Sequence, residues 1–141
     1  MYLLDTNIIS EPTKPIQNTH VLEWLDSIGN QFFISAASIE ELRYGISLLP
    51  EGKRKANLDS ALLYLNKIHA SKIVPFSLEE ALVCGELRAA MKKSGRNINI
   101  RDLMIASTAL THHLVVATRN VRDFEGLGVQ VFNPFEEPAA S

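Results

Sequence analysis

The residues best suited to chemistry begin at position 5, where an apolar run ends in an aspartate. Residues 2–4 have the composition of a buried strand, and Asp5 is followed directly by Thr6 and Asn7. Acidic residues are depleted from strands, and a buried charge is costly unless it is paired or bound to a metal. Ligands of open α/β sheets bind beyond the carboxyl ends of strands. Asp5 is therefore a candidate metal-binding carboxylate, and equally a candidate helix cap or turn residue.

Helical phase distinguishes two neighbouring glutamates in the segment 37–49. Side chains on a helix advance by about 100° per residue. Glu41 falls beside Gly45 and Leu48 on the flank of the apolar face, whereas Glu40 falls on a solvated face. A carboxylate within an apolar arc is costly unless it serves a charge. Glu41 is therefore the candidate site residue, and Glu40 is a solvated neighbour.

Asp102 stands near the start of a helix predicted over residues 101–113, with Asn99 as its cap. It shares a face with Ala106 and Ala109, the small side chains suited to close packing on a sheet. One explanation is that Asp102 complements the helix dipole, worth about 0.3–1 kcal/mol. That explains an acid in the first turn but not its alignment with the buried stripe.

A fourth polar group follows the strand predicted over residues 114–118. Thr118 is followed by Asn120 and Asp123, which are three residues apart in a predicted helical turn. Ordinary turn chemistry explains this segment when it is considered alone.

Considered together, the four segments indicate a single site, because a doubly wound sheet would bring them to the switch point between its first and fourth strands. Oxygen ligands without a His or Cys cluster suit a hard cation, Mg²⁺ or Mn²⁺. Such a cluster repels itself without metal. The expected chemistry is phosphodiester hydrolysis, in which one or two ions lower the pKa of a water and stabilise developing charge. The acids concerned are Asp5, Glu41, Asp102 and Asp123.

The elements that must position these acids alternate along the chain. Continuous apolar strands alternating with helices predict an α/β fold of three layers, α/β/α, around a five-stranded parallel sheet. Pro75 places the third strand at an edge. Strands are predicted at 2–5, 32–35, 72–75, 114–118 and 129–132, and helices at 21–28, 37–49, 52–70, 78–93 and 101–113.

Composition limits the classes of function. The 141 residues predict one domain, 1–141, with 46% apolar and 21% charged residues. A net charge of −2 gives no global attraction for nucleic acid, so such binding needs a local patch or bound cations. Cys84 is the single cysteine, which excludes an internal disulfide. With neither a secretion signal nor a membrane span expected, the predicted location is the cytoplasm.

Other catalytic patterns are absent from the sequence. Neither GxGxxG nor a phosphate-binding loop follows the first strand, and the Asp-x-Asp-x-Thr pattern of an acid-site phosphatase is missing. Four arginines lie in or beside the acidic segments, where they either hold RNA phosphates or are ordinary surface residues. They are Arg43, Arg101, Arg119 and Arg122.

Four short motifs, in order along the chain, resemble the acidic motifs of PIN-domain proteins. The resemblance is strongest to the VapC-type toxin ribonucleases, including FitB-like members. The motifs are Leu4-Asp5-Thr6-Asn7, Ile39-Glu40-Glu41-Leu42-Arg43-Tyr44-Gly45, Arg101-Asp102-Leu103-Met104-Ile105-Ala106 and Ala117-Thr118-Arg119-Asn120-Val121-Arg122-Asp123-Phe124.

The resemblance implies a PIN-like fold, usually homodimeric, with a Mg²⁺-dependent endoribonuclease site. Such a protein is the toxin of a type II toxin–antitoxin pair and inhibits translation and growth by cutting RNA. Asp5 and Asp102 would be the main metal ligands, completed by Glu41 and Asp123. Some relatives carry an aspartate where this chain has Asn120. The polar residues expected to surround and orient the ligands are Thr6, Asn7, Thr118 and Asn120.

The resemblance also implies a partner, a VapB-like antitoxin encoded beside the toxin, with operator DNA bound only through that antitoxin. An alternative function is a PIN-domain protein with little nuclease activity that works mainly by forming a DNA-binding complex with a small partner.

Overall fold

Five parallel strands form the centre of the molecule, as the sequence predicts. The computed structural model describes residues 1–136, so residues 137–141 of the predicted domain lie outside the described part. The strand order is β3-β2-β1-β4-β5, which places the third strand at an edge, as predicted, and the first and fourth side by side. The strands are β1 (Tyr2–Leu4), β2 (Phe32–Ser35), β3 (Ile73–Val74), β4 (Val115–Ala117) and β5 (Val131–Phe132).

Helices cover both faces of the sheet and complete the predicted three layers. Leu3 and Val116 pack toward the third, fifth and sixth helices, whereas Leu4 and Ala117 pack toward the first and second. Within residues 1–136, every helix is too short or too polar to cross a bilayer. The helices are α1 (Thr6–Ser10), α2 (Thr19–Ile28), α3 (Ala36–Ser47), α4 (Lys53–Ile68), α5 (Leu78–Lys93) and α6 (Ile100–His112).

The first helix, α1, is the element that the sequence did not predict. It begins directly after β1, with Asp5 as its cap, and a 3-10 turn over Glu11–Thr13 follows it. A helix of five residues is too short to produce a helical period in the sequence. The predicted strand 2–5 therefore ends one residue early, because Asp5 already belongs to the helix start.

The α5 helix begins with a capping box that buries a second acid. The backbone N–H and the hydroxyl of Ser77 both donate to Oε2 of Glu80, at 3.1 and 2.6 Å. His112, at the end of α6, lies 2.7 Å from Oε1 of the same carboxylate. Glu80 is only 2% exposed. The Ser77 hydrogen bond, with a smaller contribution from His112, outweighs burial and lowers the pKa of Glu80 to about 2.

Replacing this carboxylate by an amide tests its contribution to stability. We expect Glu80→Gln to lower the free energy of unfolding at pH 7 by about 1.5–3 kcal/mol, the range for hydrogen bonds to charged groups. A folded pKa of about 2, against 4.5 in the unfolded chain, stabilises the fold above pH 4.5. This contribution is lost as the pH falls from 4.5 toward 2, so the difference between the two proteins should shrink there. Urea unfolding across this pH range measures it.

Glu79→Gln is the matched control, because Glu79 is exposed in the same helical turn. Its unfolding free energy should differ from the wild type by less than about 0.5 kcal/mol. A Glu80→Gln deficit that is independent of pH would contradict the charge-based account.

Candidate active site

Asp5 joins the ends of the two central strands. Its backbone N–H donates to the carbonyl of Ala117 at 2.9 Å. Its Oδ2 accepts a hydrogen bond from the Thr118 hydroxyl at 2.8 Å, and its Oδ1 accepts from the backbone N–H of Thr6 at 2.8 Å. The carboxylate is therefore both a helix cap and a group buried at the carboxyl edge of the sheet. The two interpretations of Asp5 that the sequence left open are compatible.

Asn7 fixes the two loops around this carboxylate. Its amide nitrogen donates to Oδ2 of Asp5 at 3.3 Å, and its amide oxygen accepts from the backbone N–H of Arg119 at 3.1 Å. The backbone N–H of Asn120 donates to the Thr118 hydroxyl oxygen at 3.0 Å. Asn7 thus orients Asp5 directly, and the backbone of Asn120 orients Thr118, whose hydroxyl donates to Asp5.

Glu41 reaches the same region from α3. Its Oε2 accepts a hydrogen bond from the Thr6 hydroxyl at 2.7 Å, and Nη1 of Arg101 lies 3.4 Å from its Oε1. Arg101 also donates from Nε to Oε2 of Glu40 at 3.3 Å. Glu40 is exposed, as predicted, but it shares a cation with Glu41. The sequence does not reveal the contact between Arg101 and Glu40, because 61 positions separate the two residues.

Asp102 lies in the first turn of α6, where the side chain of Asn99 accepts from the backbone N–H of Arg101 at 2.8 Å, as the predicted cap. Burial raises the pKa of Asp102 to about 6, and the nearby charges of Asp123, Asp5 and Glu41 add to this effect. The Arg101 guanidinium opposes it only in part. A free Asp102 carboxyl at neutral pH is therefore held near its titration range.

The pKa of Asp5 is also raised, mainly by burial. Hydrogen bonds from Thr118 and Thr6 oppose the shift, and the charges of Glu41 and Asp123 reinforce it. The structure thus brings the four predicted acids within electrostatic reach of one another. Like-charge repulsion in a partly buried site favours a cation.

Asp123, rather than Asn120, supplies the fourth negative charge. Both flank or occupy a 3-10 turn over Val121–Phe124, which the buried ring of Phe124 anchors to the core. The charge of Asp123 acts on both Asp5 and Asp102. Asn120 is exposed, and its described hydrogen bonds are made by its backbone.

Two carboxylates of the site could hold a hydrated Mg²⁺ or Mn²⁺. Among residues 1–136, no three His, Cys, Asp or Glu side chains are already arranged to enclose one ion. Mg²⁺ commonly binds through one or two carboxylates and keeps several waters. Asp5 and Asp102 could provide those two carboxylates, because both have raised pKa values and neither forms an ion pair in the described chain.

The four arginines singled out by the sequence have different surroundings. Arg43 pairs with Asp59 on α4, and Arg101 pairs with the two glutamates of α3. The Arg119 guanidinium stacks over the Phe135 ring, 4.9 Å from its centroid. Arg122 is exposed beside Asp123. Two of the four are therefore already engaged by carboxylates.

An apolar groove of about 410 Å³ leads away from Thr6 and Glu41 between α1, α3 and α4. Lys14 and Arg54 also line it, which adds positive charge to a largely hydrocarbon surface. Its apolar lining includes Ile9, Leu42, Ile46, Leu58, Leu62 and Leu65.

Known proteins share both the sequence and the fold. A family model described as the PIN domain matches residues 2–128. The chain is 41% identical over 139 residues to Toxin FitB of Neisseria gonorrhoeae, covering 97% of this chain and 100% of the relative. It is 35% identical over 144 residues to the VapC ribonuclease Y4jK of Sinorhizobium fredii, covering 96% and 99%.

A solved structure of FitAB bound to an IR36 DNA fragment superposes with a TM-score of 0.89 at 38% identity, covering 98% of both chains. The family resemblance carried by the four acidic motifs is thereby confirmed along nearly the whole chain. This chain belongs to the PIN-domain family, in its group of VapC-type and FitB-like toxins.

Proposed function

We propose that this protein is a Mg²⁺-dependent endoribonuclease and the toxin of a type II toxin–antitoxin pair. The observation that carries the proposal is the four-acid cluster, in which Asp5 and Asp102 have raised pKa values at the carboxyl edge of the sheet. Relatives named as a toxin and as a VapC ribonuclease support the same activity. Cutting RNA would inhibit translation and growth.

Asp5 and Asp102 are the proposed ligands, with Glu41 and Asp123 completing the cluster directly or through water. A bound Mg²⁺, or Mn²⁺, would lower the pKa of a water and offset charge that develops on the phosphate. The hydroxyl of Thr118 and the backbone N–H of Thr6 hold the Asp5 carboxylate in place.

The proposed partner is a VapB-like antitoxin, encoded beside this protein and responsible for binding operator DNA. Two observations support it. The apolar groove beside Glu41 has the character of surfaces that receive an amphipathic segment. The structural relative FitAB is described as bound to a DNA fragment. We further propose that the toxin is a homodimer, as the family resemblance implies.

Substitution of the two proposed ligands tests the activity. Purified protein with Mg²⁺ should cleave RNA, and EDTA should stop cleavage. Asp5→Asn and Asp102→Asn should each lower the rate by more than about 100-fold, beyond the 10–100-fold typical of losing an outer partner of a ligand. Gel analysis of labelled RNA measures cleavage, and circular dichroism checks that the fold is retained.

Glu79→Gln is the control in that assay, because Glu79 is exposed in the first turn of α5, outside the acidic cluster. It should keep most of the activity. The same assay tests the fourth acid, since Asp123→Asn should lose more activity than Asn120→Ala. Full cleavage by both Asp5→Asn and Asp102→Asn would refute the site assignment.

In the metal-free protein, ionised Asp102 should lower the free energy of unfolding. Its folded pKa of about 6 lies above the unfolded value of 3.8, so rising pH destabilises the fold between those values. In EDTA at pH 7, Asp102→Asn should therefore be more stable than the wild type by about 1–2 kcal/mol, after allowance for solvent screening. The difference should shrink as the pH falls through 6 and disappear below 3.8. Urea unfolding measures it.

Adding Mg²⁺ should make the wild type more stable than Asp102→Asn. Wild-type stability should rise by about 2.7 kcal/mol when Mg²⁺ reaches 100 times its dissociation constant, whereas the variant should gain little. A variant that is less stable than the wild type in EDTA at pH 7 would contradict this electrostatic account.

A second function is favoured by the apolar groove and by the DNA-bound relative: assembly with a small DNA-binding partner, with little nuclease activity. The two functions predict different outcomes in cells. A nuclease toxin expressed without its partner should arrest growth, and Asp5→Asn should abolish that arrest. An assembly protein would leave growth unchanged in both cases. Growth curves after induction, with protein levels matched by immunoblot, measure the difference.

A further inference from the structure

A basic pocket of about 440 Å³ lies at the carboxyl end of α5, apart from the acidic cluster. Its apolar lining includes Met91, Ile98 and Leu103. Its polar lining consists of Arg88, Lys92, Arg96 and Asn97, and no carboxylate contributes to it. Arg88 and Lys92 are four residues apart and share one face of the helix, and Arg96 follows shortly after the helix ends at Lys93.

The positive charge of this pocket is not neutralised by neighbouring acids. Arg88 and Lys92 are exposed, and within the part of the chain that the structure describes neither they nor Arg96 forms an ion pair. Arg43 and Arg101, by contrast, pair with carboxylates. The helix dipole explains Lys92 in the last turn. It does not explain Arg96, which lies beyond the helix end.

Arg96 lies against the segment that carries Asp123. A side chain at Gly126 would overlap the Arg96 guanidinium, and Gly126 has a φ of 75° that favours glycine. Nη1 of Arg96 also lies 3.6 Å from the sulfur of Met91. The Arg96 guanidinium therefore lies against the backbone three residues after Asp123.

The pocket and the acidic cluster share one edge of the molecule. Glu80, in the first turn of α5, contacts His112 at the end of α6, so the two packed helices run antiparallel. The end of α5 consequently lies beside the beginning of α6, where Asp102 is found. The contact between Arg96 and Gly126 links the same pocket to the Asp123 segment.

We propose that this basic pocket binds the phosphate backbone of RNA next to the acidic site. The proposal rests on the function proposed above, and it gives that site a substrate-binding surface. The acidic cluster repels a polyanion, and the chain as a whole carries a net charge of −2. Lysine and arginine contacts to phosphates hold a nucleic acid in register without reading its sequence. Arg88, Lys92 and Arg96 supply such contacts beside the acids.

RNA binding is measured in the Asp5→Asn variant, so that binding is separated from cleavage. The probe is a fluorescein-labelled single-stranded RNA of 20 nucleotides and mixed sequence, followed by anisotropy. Adding Arg88→Gln and Lys92→Gln should raise the dissociation constant about tenfold or more. It should also reduce the slope of log affinity against log salt by about 1.4, from two lost phosphate contacts.

Lys53→Gln with Lys67→Gln is the matched control, because it removes the same charge from exposed positions on α4. Its affinity and salt slope should stay near those of the Asp5→Asn variant. Gly126→Ala is a second variant, which should weaken binding by displacing Arg96 while leaving the net charge unchanged. Circular dichroism and thermal unfolding verify that each variant is folded.

The outcomes separate this proposal from the nuclease function. If the pocket variant and the α4 control bind the RNA equally, the pocket proposal fails, even when the wild-type protein cleaves RNA. If the pocket variant binds weakly but the wild-type protein with Mg²⁺ never cleaves, docking stands and the nuclease function fails. If the pocket variant loses only its complex with the co-purified antitoxin, the pocket serves an acidic protein segment and the RNA proposal is overturned.

Discussion

Burial of the Asp5 carboxylate at the junction of β1 and β4 is the constraint on which the site depends. A carboxylate in this position loses hydration, and the fold compensates with the Thr118 hydroxyl and the Thr6 backbone N–H. The same contacts join the two central strands and start α1. Because the hydroxyl of Thr6 also donates to Glu41, the position of Glu41 is tied to the residues that satisfy Asp5. Compensation is incomplete, since the pKa of Asp5 stays raised.

The four acids with shifted pKa values within residues 1–136 fall into two groups according to the direction of the shift. Glu11 and Glu80 have lowered pKa values, because Lys14 in one case and the Ser77 hydroxyl in the other stabilise the charged form. These two acids stabilise the folded chain. Asp5 and Asp102 have raised pKa values and a like-charged surrounding, so their ionisation opposes folding. Natural proteins concentrate such unfavourable electrostatics where a ligand relieves it.

The sequence predicted most of what depends on local pattern and little of what depends on pairing across the chain. Strand and helix order follow from apolar periodicity and the edge position of β3 follows from Pro75, and the structure agrees with both. Helical phase singled out Glu41, which contacts Thr6 in the site. The short helix α1 produces no period and was missed. The Arg101 contact to the α3 glutamates and the burial of Glu80 arise from packing between distant segments. No spacing along a single sequence encodes such contacts.

Charge balance decides which kind of cation the cluster favours. Arg101 lies against Glu40 and Glu41, so its single charge is shared by the two carboxylates of α3. Asp5 and Asp102 then remain with raised pKa values and without an ion pair in residues 1–136. A monovalent ion or one lysine would neutralise only one of the two. A hard divalent cation matches both the charge and the oxygen chemistry of the pair. Arg101 thus leaves the carboxylates of Asp5 and Asp102 without a neutralising side chain in residues 1–136, and the proposed divalent ion would offset their charge.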